Sequence, residues 1–162
     1  MLDRLIAGYC TVLNYLLAIA LALMVVLVFG NVVLRYAFNS GISLSEELSR
    51  WLFVWMTFLG AVVALGDRAH LGTDMLVGRL GRRGKQLCLA LAYLAMLGVC
   101  WLVFRGALEQ TRINWDTTSA VMEVSMAWFY ASGMVFAVLG ALVVLRDLLR
   151  LLGGQLQDHE LL

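Results

Sequence analysis

The stretch NVVLRYAFNSGISLSEELSRWLFVWMTFLGAVVALGDRAHLGTDML (Asn31–Leu76) decides the fold. Its centre is an apolar run from Trp51 to Leu65, and charges stand at both margins. Arg35 closes an earlier apolar run. Glu46, Glu47 and Arg50 crowd the turns before the second run, and His70 and Asp74 follow it. Charge packed against a membrane-length segment is expensive, so it usually has a job.

The same character extends outward. Hydrophobic residues make up 62% of the 162-residue chain and charged residues 14%. Soluble domains lie nearer 45–50% and about 25%. The excess falls in long runs, the membrane signature. A net charge of +1 gives no nucleic-acid footprint. We expect an all-α integral membrane four-helix bundle with short interfacial helical segments. It should form a single membrane domain over 1–162, with spans near 6–34, 48–66, 86–105 and 124–146 and a short polar tail at 153–162. The first run is too long for a signal-peptide core and reads as an uncleaved span. Asn14 and Asn31 interrupt it, and both should face protein rather than lipid. The second run gains length if its helix starts near Ser43, where Ser43 and Glu46 fit a capping box. Leu44, Leu48, Trp51 or Leu52, and Trp55 then share one face.

With four spans, one side carries Arg4, Arg68, Arg79, Arg82, Arg83, Lys85, Arg146 and Arg150. The other carries Arg35, Arg50, Arg105 and Arg112. The positive-inside rule puts both termini and the middle loop in the cytoplasm.

Catalysis has little to work with. The only histidines are His70 and His159, and no set of His, Cys and carboxylates has metal-ligand spacing. Cys10, Cys88 and Cys100 read as buried free thiols. No carboxylate sits in mid-span, where a pump or small exporter needs one. Glu46 and Glu47 lie four and three residues before Arg50, so either can pair with it on one helix, or one can reach Arg35 or a group on a partner protein. His70 and Asp74 are one turn apart and can hydrogen-bond. Thr57, Gly60, Ala61 and Ala64 form one stripe of small residues. Gly133, Ala137 and Ala141 form another, with Gly140 beside it. Such stripes allow close helix approach within this bundle or against a second membrane protein. Trp51, Trp55, Trp101, Trp115 and Trp128 lie mostly near the expected span ends, as interfacial anchors do. Beyond the third span, Arg105 with Glu109 and Arg112 with Asp116 are i,i+4 pairs on a projecting helix end. From exposure and charge alone, Arg105, Glu109, Arg112, Asn114 and Asp116 are candidates for periplasmic docking of a soluble partner.

The opening block resembles a known family. Asn31, Arg35 and Tyr36 in NVVLRY carry the resemblance, with Glu46, Glu47, Arg50 and the run RWLFVW that includes Trp51. It continues through Leu59-Gly60-Ala61 and His70-x-x-x-Asp74. The chain is similar to the small membrane subunit of tripartite ATP-independent periplasmic (TRAP) transporters, the DctQ-like family. That family often has a proline early in its last span, where this chain has MAWFYASGMVF (Met126–Phe136).

The resemblance implies a non-enzymatic, cofactor-free accessory subunit in the bacterial inner membrane. Its partners would be a large sodium-coupled membrane subunit, a periplasmic substrate-binding protein and the lipid bilayer. The cargo would be an organic anion, a carboxylate or sugar acid. The residues expected to shape subunit contacts or the bundle itself are Asn31, Arg35, Tyr36, Glu46, Glu47, Arg50, Trp51, Gly60, Ala64, His70, Asp74, Gly133 and Ala137. The alternative is a membrane anchor of a redox complex carrying haem or quinone, for which paired histidines inside the bundle are missing.

Overall fold

The computed structural model describes residues 2–66 and 82–153. They form four long helices: α1 (Leu2–Phe38), α2 (Ser43–Gly66), α3 (Arg82–Ile113) and α4 (Ala127–Leu152). Each contains a stretch apolar and long enough to cross a membrane. The absence of proline leaves no built-in breaker. The helices outrun the expected spans: α1 passes Arg35 to Phe38, α2 begins at Ser43, and α3 reaches Ile113. Hydropathy marks the part a helix keeps in lipid, while backbone hydrogen bonding carries it further, so the excess tilts or projects.

The connections described in full contain no short helix. Between α1 and α2 the chain reverses in four residues, 39–42. Asn39 adopts the left-handed conformation with φ 50, which Asn tolerates better than most residues. The Ser40 amide closes back onto the Leu34 carbonyl at 3.1 Å, a Schellman-type ending. Between α3 and α4 the chain turns through an isolated bridge between Thr118 and Ser125. Ser125 is central there. Its hydroxyl donates to the Trp115 carbonyl at 2.6 Å and accepts the Ala127 amide at 3.2 Å, at the start of α4.

Packing runs in the order α1–α2–α4–α3, with the broadest contact between α3 and α4. One core joins Leu13 of α1 to Val62 and Val63 of α2, backed by Phe136 and Leu139 of α4. A second joins Tyr93 of α3 to Val144, Leu148 and Leu151 of α4. Helix α4 is the most covered span and α1 the least. The bundle is therefore open, with α1 resting mainly on α2. The small residues of α4 pack within the chain: a Cβ on Gly133 would lie 3.2 Å from the Ala107 Cβ, and one on Gly140 would lie 3.4 Å from Leu65.

Several expectations change. Asn14 is exposed rather than turned into protein, because α2 covers the Leu13 side of α1. Leu44 is exposed, and the side of α2 that goes inward carries Ser45 and Ser49. Trp55 and Trp101 sit well inside their helices, away from the span ends. Cys88 is exposed and Cys100 buried; the Cys10 side chain lies outside the described ones. One buried charge went unforeseen: Asp147, in the last two turns of α4, is only 4% exposed. Its Oδ1 accepts the Arg146 Nε at 2.8 Å.

Candidate functional site

The block singled out by sequence folds into one corner, where α1 ends, α2 begins and the α3–α4 connection crosses over. Asn31 is its buried centre, 7% exposed. Its Oδ1 accepts the Ile42 amide at 2.7 Å, and its Nδ2 donates to Glu46 Oε1 at 3.2 Å. An α1 side chain thus satisfies a backbone donor in the turn ahead of α2, a group that lipid cannot hydrate. The Arg35 guanidinium makes an ion pair and hydrogen bond with the same Glu46 oxygen. The Ser45 hydroxyl donates to the Leu27 carbonyl at 2.7 Å, adding a polar tie one turn deeper along α1. Ser49, also buried, turns its hydroxyl back to the Ser45 carbonyl at 2.6 Å. Gly41 lies directly over the pair, where a Cβ would meet Arg35 Nε at 3.4 Å, an ordinary van der Waals distance.

Glu47 points the other way. Its Oε2 accepts the backbone amides of Val121 at 2.9 Å and Met122 at 3.2 Å, in the α3–α4 connection. Ser119 stands beside the same carboxylate. Its hydroxyl is buried and lacks a hydrogen bond of good geometry, so the two amides are the firm anchor. One residue apart on α2, two carboxylates therefore fasten two different elements: Glu46 holds α1, and Glu47 holds the loop that leads into α4. The alternatives left open by spacing are resolved in favour of these tertiary partners. The Ser43–Glu46 capping box gives way for the same reason, because Glu46 is engaged by Asn31 and Arg35. Arg50 is exposed and makes no ion pair among the described residues, although its charge acts on Glu47.

The remaining expected residues separate by location. Tyr36 projects from the end of α1, 84% exposed. Trp51 meets Phe129 of α4 edge-on at 5.8 Å. Gly60 faces Leu17 of α1 at van der Waals distance. Ala64 is half-buried, and Gly133 and Ala137 are buried. His70 and Asp74 lie outside the described residues. Arg105, Glu109, Arg112 and Asp116 are exposed, and neither expected i,i+4 ion pair forms among them. At a solvated helix end the side-chain entropy of holding two long chains together offsets most of the attraction. Asn114 is tied to Gln110, its Nδ2 donating to the Gln110 carbonyl at 2.9 Å.

Sequence reasoning missed Ser45, Ser49, Gly41 and Ser119. The available signal was Ser45 and Ser49 four apart on a helix whose neighbours are apolar, a pattern that suits hydroxyls bonded to backbone carbonyls within lipid. A cleft of about 210 Å³ opens beside the corner, bounded by Val28, Val32 and Tyr36 and by the Arg35–Glu46 pair. Among the described residues no group of His, Cys, Asp and Glu is placed to hold a metal ion. Chemically, the corner is suited to fixing helices relative to one another.

Residues 24–154 match the family model described as "Tripartite ATP-independent periplasmic transporters, DctQ component". A Haemophilus influenzae protein named "Putative TRAP transporter small permease protein" is 36% identical over 129 residues, 80% of each chain. A second protein of that name and organism is 32% identical over 138 residues, 85% of this chain and 84% of the relative. The "C4-dicarboxylate TRAP transporter small permease protein DctQ" of Vibrio cholerae is 31% identical over 93 residues, 52% of this chain and 40% of the relative.

Proposed function

Because this chain belongs to the DctQ family, the small permease subunits of TRAP transporters, we propose that it serves as the scaffold subunit in uptake of an organic anion. It holds a large sodium-coupled membrane subunit and presents a docking end to a periplasmic substrate-binding protein. Carboxylates are the cargo class we favour, since one relative is named for C4-dicarboxylates. The chain is a single domain of the bacterial inner membrane with both termini cytoplasmic. The excess of Lys and Arg at the termini and middle loop supports this orientation. The α1–α2 corner, with Tyr36 and the exposed charges Arg105, Glu109, Arg112 and Asp116, then lies on the periplasmic side.

One observation carries this reading. Glu46 and Glu47, the carboxylates at the edge of the second span, are both engaged by groups of this same chain. A solute or ion path needs polar groups free to exchange partners; these are used to fix helix positions. The test is uptake of a labelled dicarboxylate into liposomes under an inward sodium gradient. The purified chain alone should give none. Adding the large subunit and the binding protein should restore it, and leaving this chain out should abolish it. Sodium-driven uptake by this chain alone would overturn the reading.

A further inference from the structure

The α1–α2 corner uses only part of its polar capacity. Glu46 takes both the Asn31 amide and the Arg35 guanidinium on Oε1, and among the described residues its Oε2 has no hydrogen-bond partner. Arg35 donates through Nη2 alone, which leaves its other N–H groups over. The two side chains are 57% and 49% exposed. They open into the cleft of about 210 Å³, between Val28, Val32 and Tyr36 of α1 and Ser45 and Ser49 of α2. Both serine hydroxyls are already given to backbone carbonyls, so the polar groups left to a ligand are those of Arg35 and Glu46.

The surroundings say what such a ligand is made of. The cleft lies between the last turn of α1 and the first turn of α2, where a spanning helix meets lipid headgroups. Leading away from it toward the middle of α1, Val32, Val28, Val25 and Leu21 are all exposed. Their spacing of i, i+4, i+7 and i+11 puts them on one side of the helix. At about 1.5 Å per residue the stripe is about 16 Å long, close to half of a hydrocarbon core of about 30 Å. A cation and an anion with spare bonding capacity thus stand side by side at the head of an apolar stripe one leaflet long.

We propose that this cleft seats the headgroup of a phospholipid with a primary amine, a phosphatidylethanolamine, with its phosphate on Arg35, its ammonium on Glu46 Oε2 and an acyl chain along the Leu21–Val32 stripe. A zwitterionic headgroup meets the Arg35–Glu46 pair with its own pair in reverse order, so the charges alternate. An anionic headgroup without an amine sets its phosphate near Glu46 with nothing to offset the repulsion. A choline headgroup brings the cation but no N–H, so it forms no charge-assisted hydrogen bond to the carboxylate. Asn31 and Arg35 hold the other carboxylate oxygen, so the lipid adds to the join between α1 and α2 without competing for it.

The experiment is native mass spectrometry of the full chain in mild detergent. Phosphatidylethanolamine, phosphatidylcholine and phosphatidylglycerol with the same acyl chains are added in equal amounts. The ethanolamine lipid should be retained about tenfold over either competitor, the size of one hydrogen bond to a charged group. Glu46→Gln should remove most of that preference without lowering retention of the choline lipid. Arg35→Gln should lower retention of all the lipids. Val32→Trp fills the cleft from a position that makes none of the corner's bonds, and it should also lower retention of the ethanolamine lipid. Leu102→Trp, on the exposed side of α3, should not. Equal retention of the lipids as general bilayer contacts, retention of none, phosphatidylglycerol held as well as phosphatidylethanolamine, or Val32→Trp without effect would each overturn the inference.

Discussion

The two occupied sides of α2 show two ways of joining helices in lipid. Toward α1 the contact is stitched at one end by Asn31, Arg35, Ser45 and Glu46. Toward α4 it is apolar along its length, with Trp51 on Phe129, Phe58 on Phe136, and Gly140 admitting Leu65. Lipid tails remove the hydrophobic drive between helices, so association rests on packing and hydrogen bonds. Directional bonds at the corner set the register and angle of α1. Small residues on α4 set its distance from α2 and α3. The consequence is visible in coverage: α4 is the most covered span, and α1, stitched at one end, the least.

The packed side should be the more fragile. Gly133→Leu puts branched carbon where a single Cβ is already 3.2 Å from Ala107 and 3.8 Å from Phe58. It should destabilise the chain by about 1–3 kcal/mol or more, read as a lower thermal midpoint in detergent. Asn31→Ala attacks the stitched side and should cost about 1–2 kcal/mol, because the Ile42 amide loses its acceptor. A larger loss for Asn31→Ala than for Gly133→Leu would invert the comparison. Arg35→Gln should cost less than about 1 kcal/mol, as expected for a half-exposed ion pair whose carboxylate keeps Asn31. Glu47→Ala should have the most local effect: the midpoint should hold while amide exchange at Val121 and Met122 speeds up, and Glu47→Gln, which keeps an acceptor, should exchange more slowly than Glu47→Ala.

The spans were legible in sequence because a long apolar run has few other uses. Their ends were less so: Asn39 and Ser40 stop α1 through backbone geometry that hydropathy does not record. The corner was legible as a place but not as a set of bonds. Spacing shows that Glu46 and Glu47 can reach Arg50. It does not weigh that against Asn31, a residue on another helix, or against two backbone amides 74 and 75 residues away. Backbone partners leave no side-chain signature, so the Glu47 tie could not be read. Asp147 escaped because nothing in the sequence separates a buried carboxylate near the end of an apolar helix from a solvated one. The small residues of α4 were legible as a close-approach surface, and only packing could show that Ala107 and Leu65 fill it.

The central claim is that the charges of this corner fasten helices and do not lie on a solute or ion path. Uptake per assembled complex, measured in liposomes for wild type, Glu46→Gln and Glu47→Gln with complex content determined in the same vesicles, tests it most directly. The account predicts that uptake falls only in proportion to the complex lost, and that uptake per complex is unchanged. Assembly at wild-type levels with uptake per complex abolished by either substitution would contradict it.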